Sequence, residues 1–143
     1  MEGDIFRMGC GDEISEMLSR IKAGARHIRV KVISDKGLSE YNRFGYDIAY
    51  VPQAKLGAKT FFILRSDFDA HVAGLGFDGW EPNDFWLFDL ETGIEQFYND
   101  DYSYRDATDM DAATVAKYLA LRNAVLESDK LFDLAEFEQR YVK

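Results

Sequence analysis

Asp84-Phe85-Trp86-Leu87-Phe88-Asp89 is the densest aromatic run in the chain, and Leu90-Glu91-Thr92-Gly93 separates it from a second apolar run at 94–98. Two strand-like runs joined by a short glycine-containing connection predict a β-hairpin, with Gly93 supplying the positive φ of a bulged turn. An aromatic ribbon this dense belongs at the middle of a core, and the neighbouring stretches are read against it.

Upstream, residues 59–65 are apolar on both faces, the pattern of a strand covered from two sides. Residues 27–33 alternate: Ile28, Val30 and Val32 point one way, Arg29 and Lys31 the other. Residues 46–51 alternate too, with Tyr46, Ile48 and Tyr50 on one face and Pro52 closing the run. Between these two, residues 38–45 predict a short helical turn or loop. Nearer the start, Ile14, Met17, Leu18 and Ile21 fall at i, i+3, i+4 and i+7, so 12–23 reads as an amphipathic helix stopped by Gly24.

A short helix over 68–73, capped by Ser66 or Asp67 and ended by Gly74 and Gly76, leads into a loop at 77–83 that carries Trp80. Beyond the hairpin, 99–109 is polar and turn-like, and helices follow over 111–127 and 131–141. Strands bunched in the middle with helices at the ends predict one α+β domain over 1–143. Its sheet is mostly antiparallel, of about five strands, with an N-terminal helix and two C-terminal helices.

With 143 residues and 47% hydrophobic content the chain builds a core without staples. Its one cysteine, Cys10, excludes a disulfide framework or a multi-cysteine zinc site within one chain. No apolar stretch approaches the ~20 residues of a membrane span, and the first residues do not form a signal peptide. A cytoplasmic protein with no membrane partner is expected. Charge is lopsided: residues 1–65 carry 11 Lys and Arg against 8 Asp and Glu, and residues 66–143 carry 6 against 18. These are balances of +3 and −12 within a total of −9. Such a field disfavours direct nucleic-acid binding and steers a basic partner to the C-terminal half; it equally suits an ordinary acidic soluble domain.

On the helix at 111–127, Val115, Tyr118, Leu119, Val125 and Leu126 form one stripe, with Arg122 near its centre. A guanidinium there requires a carboxylate or carbonyl partner, since breaking a buried pair costs about 3–5 kcal/mol. Asp89 shares a strand face with Phe85 and Leu87, so Arg122 is expected to meet Asp89 or Asp84 between helix and sheet. A second constellation, Arg29 and Lys31 followed by Tyr41 and Arg43, suits recognition of a phosphate or carboxylate, and equally a solvated sheet face. Trp80, Tyr98, Tyr102 and Tyr104, in or beside acidic loops, are candidate interface anchors.

Other familiar sites fail. Gly74-Leu75-Gly76-Phe77-Asp78-Gly79 does not clearly join a buried strand to a helix amino terminus, as a phosphate cradle must. His27 and His71 lack metal-ligand spacing, and the acidic cluster at 106–111 lacks the glycine and glutamate of a calcium loop. No catalytic residue, cofactor or metal ligand is assigned.

Arg29-Val30-Lys31-Val32-Ile33-Ser34, then Tyr41-Asn42-Arg43-Phe44, then Asp84-Phe85-Trp86-Leu87-Phe88-Asp89, resemble the R-V-x-V-x-S, Y-x-R-[YF] and D-F-W-L-F-D motifs of an uncharacterised bacterial, mainly actinobacterial, domain family. Leu121-Arg122 matches its late-helix piece, and the spacing fits from Asp12 to the end of the chain. The resemblance implies the α+β fold and singles out Arg29, Tyr41, Arg43, Asp84, Asp89 and Arg122. It implies no activity. Many members look to be encoded beside helix-turn-helix regulators, which implies a regulatory or defence-related setting. Two departures stand out: the longer amino-terminal part of such proteins is absent here, and Gly45 stands where many carry Glu.

The function expected from these features is a non-catalytic protein-interaction or regulatory module, its partner a regulator or toxin. The alternative is a small-ligand binder or enzyme that uses Arg29, Tyr41 and Arg43 to hold an anionic substrate near Asp84 and Asp89. A third is acidic mimicry of nucleic acid.

Overall fold

The order of the strands locates everything else. The computed structural model describes residues 5–8, 27–101 and 103–142, in which seven strands form one mixed sheet. They are β1 (Ile5–Met8), β2 (His27–Ile33), β3 (Lys59–Leu64), β4 (Asp84–Phe88), β5 (Thr92–Tyr98), β6 (Tyr104–Asp109) and β7 (Phe132–Asp133). Across the sheet they run β6-β5-β4-β1-β2-β3-β7. The β1–β2 and β2–β3 pairs are parallel and the other four are antiparallel. The fold is α+β, as expected, with the aromatic hairpin β4–β5 inside the sheet. The helix anticipated at 12–23 lies outside the described residues, as does Cys10.

Helices cover both faces. Against one lie α3 (Arg65–Gly74) and α4 (Ala112–Leu126), whose Phe68, Val115, Tyr118, Leu121 and Val125 close over Val30, Ile63, Phe85 and Leu87 of the sheet. Against the other lie a helical run from α1 (Glu40–Gly45) through a π-helical turn (Tyr46–Tyr50) to α2 (Val51–Lys55), and α5 (Leu134–Tyr141). There Ala49, Tyr50, Phe132 and Phe137 pack on Ile33 and Phe62, with Phe137 stacked on Phe62 at 4.3 Å between centroids. A strand buried on both faces must be apolar on both, which is why 59–64 has no polar side.

The strand expected at 46–51 is helical instead. Tyr46, Ile48 and Tyr50 alternate, but Tyr46, Ala49, Tyr50 and Gln53 also fall at i, i+3, i+4 and i+7, and it is Ala49, Tyr50 and Gln53 that are buried. Ile48 is exposed. Pro52 does not end a strand; it occupies the first turn of α2, where a missing N–H costs nothing. Its ring would clash with the carbonyl four residues back in a regular helix, and the wider turn at 46–50, closed by Val51 N–H on Tyr46 O, removes that clash.

Four of the five expected strands are found, and three more, β1, β6 and β7, lie where none is expected. β6 falls in the stretch expected to be turn; all six of its residues are exposed, so no burial pattern marks it. The two-residue β7 precedes α5.

In the hairpin, positive φ belongs to Asp89 (55°) and Leu90 (60°), in a turn closed by Glu91 N–H on Phe88 O at 3.1 Å. Gly93 is not a turn residue. It lies buried in β5, where a Cβ would fall 2.7 Å from the Trp86 carbonyl oxygen and 2.8 Å from Met110 Sδ. Gly93→Ala is expected to lower unfolding free energy by about 1–3 kcal/mol, because backbone must move to admit the methyl. Gly74→Ala, with open space around it, is expected to be neutral or stabilising by up to about 1 kcal/mol. Urea midpoints of the two variants check the pair.

Candidate functional site

Asp111 starts α4 by accepting from Thr114 N–H at 2.8 Å, and the helix then brings Tyr118 against the sheet. Tyr118 is fully buried, its ring 4.2 Å from Phe85 and 5.0 Å, edge to face, from Trp80. Its hydroxyl donates to Glu95 Oε2 at 2.6 Å and accepts from Asn83 N–H at 2.9 Å. Asn83 Nδ2 donates to the same carboxylate oxygen at 3.1 Å. One phenol therefore joins α4, β5 and the loop that precedes β4. Burial, and then the adjacent Glu95 carboxylate, push its pKa well above the ordinary tyrosine value.

That loop forms one wall of a cleft of about 710 Å3; α3 forms the other. The loop leaves α3 through Gly76 and Gly79, both at positive φ, and Trp80 N–H closes a turn on Phe77 O at 3.1 Å. Phe77 and Trp80 stand perpendicular, centroids 5.6 Å apart, as two walls of an aromatic corner. Asp69 from α3 and Asp78 and Glu81 from the loop bring carboxylates to the same recess. Its lining cation, Arg65, lies 3.7 Å from Asp69 and 5.4 Å from the Phe68 ring centroid. The amino terminus of α3 is held by Asp35, whose carboxylate accepts from Ser66 N–H (3.0 Å) and Oγ (2.6 Å). The expected local cap by Ser66 or Asp67 is thus replaced by one from 31 residues away.

The structure separates the other residues singled out above. Arg29 and Lys31 do not face solvent; they are 1% and 5% exposed, within 5.8 and 5.9 Å of the Tyr50 ring centroid. Arg43 is exposed and donates to the Tyr141 carbonyl at 3.1 Å, so it does not join Arg29. The Tyr41 side chain and Tyr102 lie outside the described residues. At Gly45 a side chain is excluded: a Cβ would come 2.9 Å from Tyr50 Oη.

Arg122, expected to pair with Asp84 or Asp89, lies on α4. Phe85 and Leu87 face α4, so Asp84 alternates to the opposite side of the sheet, and Asp89 is exposed in the turn. Leu121, not Arg122, occupies the buried stripe of α4, and Arg122 Nη1 donates to Asn123 Oδ1 at 2.9 Å. An acid of the hairpin meets a polar group of α4 where Glu95 accepts from the Tyr118 hydroxyl. Tyr98 pairs with the exposed Tyr104 at 6.4 Å, whereas Trp80 has Phe77 and Tyr118 as its aromatic neighbours. The glycine run 74–79 meets the G-x-G-x-x-G spacing at the carboxyl end of a helix, where a phosphate gains nothing from the dipole. His71 Nε2 is 2.8 Å from Ser128 Oγ, tying α3 to the segment after α4. Among the described residues no group of three or more His, Cys, Asp or Glu side chains is placed to hold a metal ion, and no helix is long and apolar enough to cross a membrane.

Fold and site together define an α+β domain with a seven-stranded mixed sheet, helices on both faces and an acidic aromatic cleft at one of them. Residues 10–134 match the family model described as a domain of unknown function (DUF6879), and the chain belongs to that family. No curated protein matches it. The matched region holds β2, the cleft, Glu95 and Tyr118.

Tyr118→Phe keeps the ring contacts and deletes the hydroxyl, leaving Asn83 N–H and Glu95 short of a partner; a loss of about 1–3 kcal/mol is expected in chemical denaturation. Because the folded-state pKa is raised, the unfolded chain gives up this proton first. The contribution is complete below about pH 10 and falls as pH rises above it. Melting temperatures between pH 8 and 11 are therefore expected to fall more steeply for the native chain than for the Phe variant.

Proposed function

We propose that the chain is a non-catalytic, cytoplasmic protein-interaction module of regulatory or defence-related setting, which holds its partner in the cleft between α3 and the loop at 76–83. The observation that carries this reading is the meeting of the Phe77–Trp80 corner with three carboxylates in one recess. Protein interfaces concentrate their energy in large aromatics at pockets, within polar surroundings. Trp80 is held from behind by Tyr118, so it offers its contact surface without first being ordered.

The anionic-substrate reading draws on one observation, the adjacent cations Arg29 and Lys31 on one strand face with Thr60 in register beside Arg29. Near-complete burial of both cations and the diversion of Arg43 to the end of α5 weigh against it. Mimicry of nucleic acid needs a continuous anionic surface. The acids of 100–111 border β6 and those of 127–138 border β7, the two opposite edges of the sheet. At ~4.8 Å per strand spacing those edges are roughly 30 Å apart.

The test is retention of a partner by the tagged chain in the cells that make it. Phe77→Ala with Trp80→Ala, at unchanged circular dichroism, is expected to weaken that complex by roughly 2 kcal/mol or more, about thirtyfold. Undiminished retention removes the cleft from the reading.

A further inference from the structure

Resting on the interaction reading, we infer that the cleft between α3 and the loop at 76–83 takes the cationic side chain, arginine or lysine, of a basic peptide segment in its partner. A cation is attracted to an aromatic face within about 6 Å of the centroid, most strongly to tryptophan. The rings here already serve that way for the chain's own cations: Lys117 Nζ lies 5.7 Å from the Phe77 centroid, and the Arg65 guanidinium 5.4 Å from that of Phe68. Phe77 and Trp80 meet edge to face and both line the cleft, so an incoming ammonium or guanidinium group meets aromatic surface beside the carboxylates.

The carboxylates make the choice of sign. Of the two cations already at these rings, Arg65 is held by Asp69 and Lys117 lies over Phe77. Asp78 and Glu81, which flank the corner along the loop, have neither an ion pair nor a side-chain hydrogen bond among the described residues. Two uncommitted acids beside an aromatic corner repel an anion and leave a neutral group without a polar match. The half of the chain that builds the cleft has a balance of −12, which extends the same preference outward and steers a basic segment toward it. A recess of about 710 Å3 exceeds what one small ion fills, and suits a long side chain with its flanking backbone.

The probe is a short peptide with an Arg-Lys-Arg centre in a Gly-Ser frame, against the same frame with a Glu-Glu-Glu centre. Trp80 emission is followed in a Trp86→Phe background, and binding heat is measured in parallel. The basic peptide is expected to give a saturable emission change and heat. Asp78→Asn with Glu81→Gln is expected to weaken it about tenfold, and salt raised from about 0.05 to 0.5 M to weaken it further. Trp80→Ala is expected to remove the heat. The inference is overturned if the acidic peptide binds as well, if the Asn/Gln variant binds the basic peptide undiminished, or if the basic peptide gives neither signal at about millimolar concentration. Where that happens while the Phe77/Trp80 variant still loses its cellular partner, the interaction reading stands and only the cationic ligand is wrong. If that variant keeps its partner, the interaction reading itself is wrong.

Discussion

A buried phenol with both hydrogen-bond roles filled organises the α4 side of the molecule. Sealing Tyr118 under a helix removes its hydroxyl from water, at a cost that only a good acceptor and a good donor offset. Glu95 provides the first and Asn83 N–H the second. The constraint reaches further than stability, because Asn83 ends the loop whose Trp80 packs against the same ring. A helix, the central hairpin and one wall of the cleft are thereby set by a single side chain.

The opposite face depends on a second tyrosine in a different way. Tyr50 is turned under the helical run by the wide turn that precedes Pro52, and its ring lies close to both Arg29 and Lys31. Cation–π attraction strengthens on desolvation, to about 2 kcal/mol or more, and so offsets part of the cost of burying the two charges. The hydroxyl ends against Asn42 Oδ1 at 3.3 Å, in space that exists only because residue 45 has no side chain. Cations that a strand-by-strand reading assigns to solvent are thus part of the interior.

Much of this was legible from periodicity, and the failures have identifiable causes. The hairpin, β2, β3 and α4 carry patterns that burial enforces, and they appear where period 2 or 3.6 places them. Residues 46–53 satisfy both periods, and tertiary packing decided for the helix. β6 is exposed along its whole length, so nothing in its side chains records the pairing. On α4, Leu119 and Leu126 pulled the inferred stripe round toward Arg122; the observed stripe through Tyr118, Leu121 and Val125 lies roughly 60° away at 100° per residue. Tyr118 joins the apolar stripe through its ring, and periodicity carries no information about its hydroxyl. The cap from Asp35 to Ser66 bridges two crossovers of the chain, and no local pattern encodes it.

Charge and shape have separate tasks at the cleft. An acidic half-molecule exerts its field over about 8–10 Å at ordinary ionic strength, enough to bias an approach but too diffuse to choose among basic partners. Selection must come from a contact that depends on distance and angle, and the perpendicular Phe77–Trp80 corner is such a contact. Changing acids at the rim would then act chiefly on association rate and salt dependence, while changing the corner, or the Tyr118 contact behind it, would act on residence time. The field belongs to the composition of the whole half-chain, whereas the corner is local: a turn closed by Trp80 N–H on Phe77 O, with Tyr118 of one helix packed against the tryptophan.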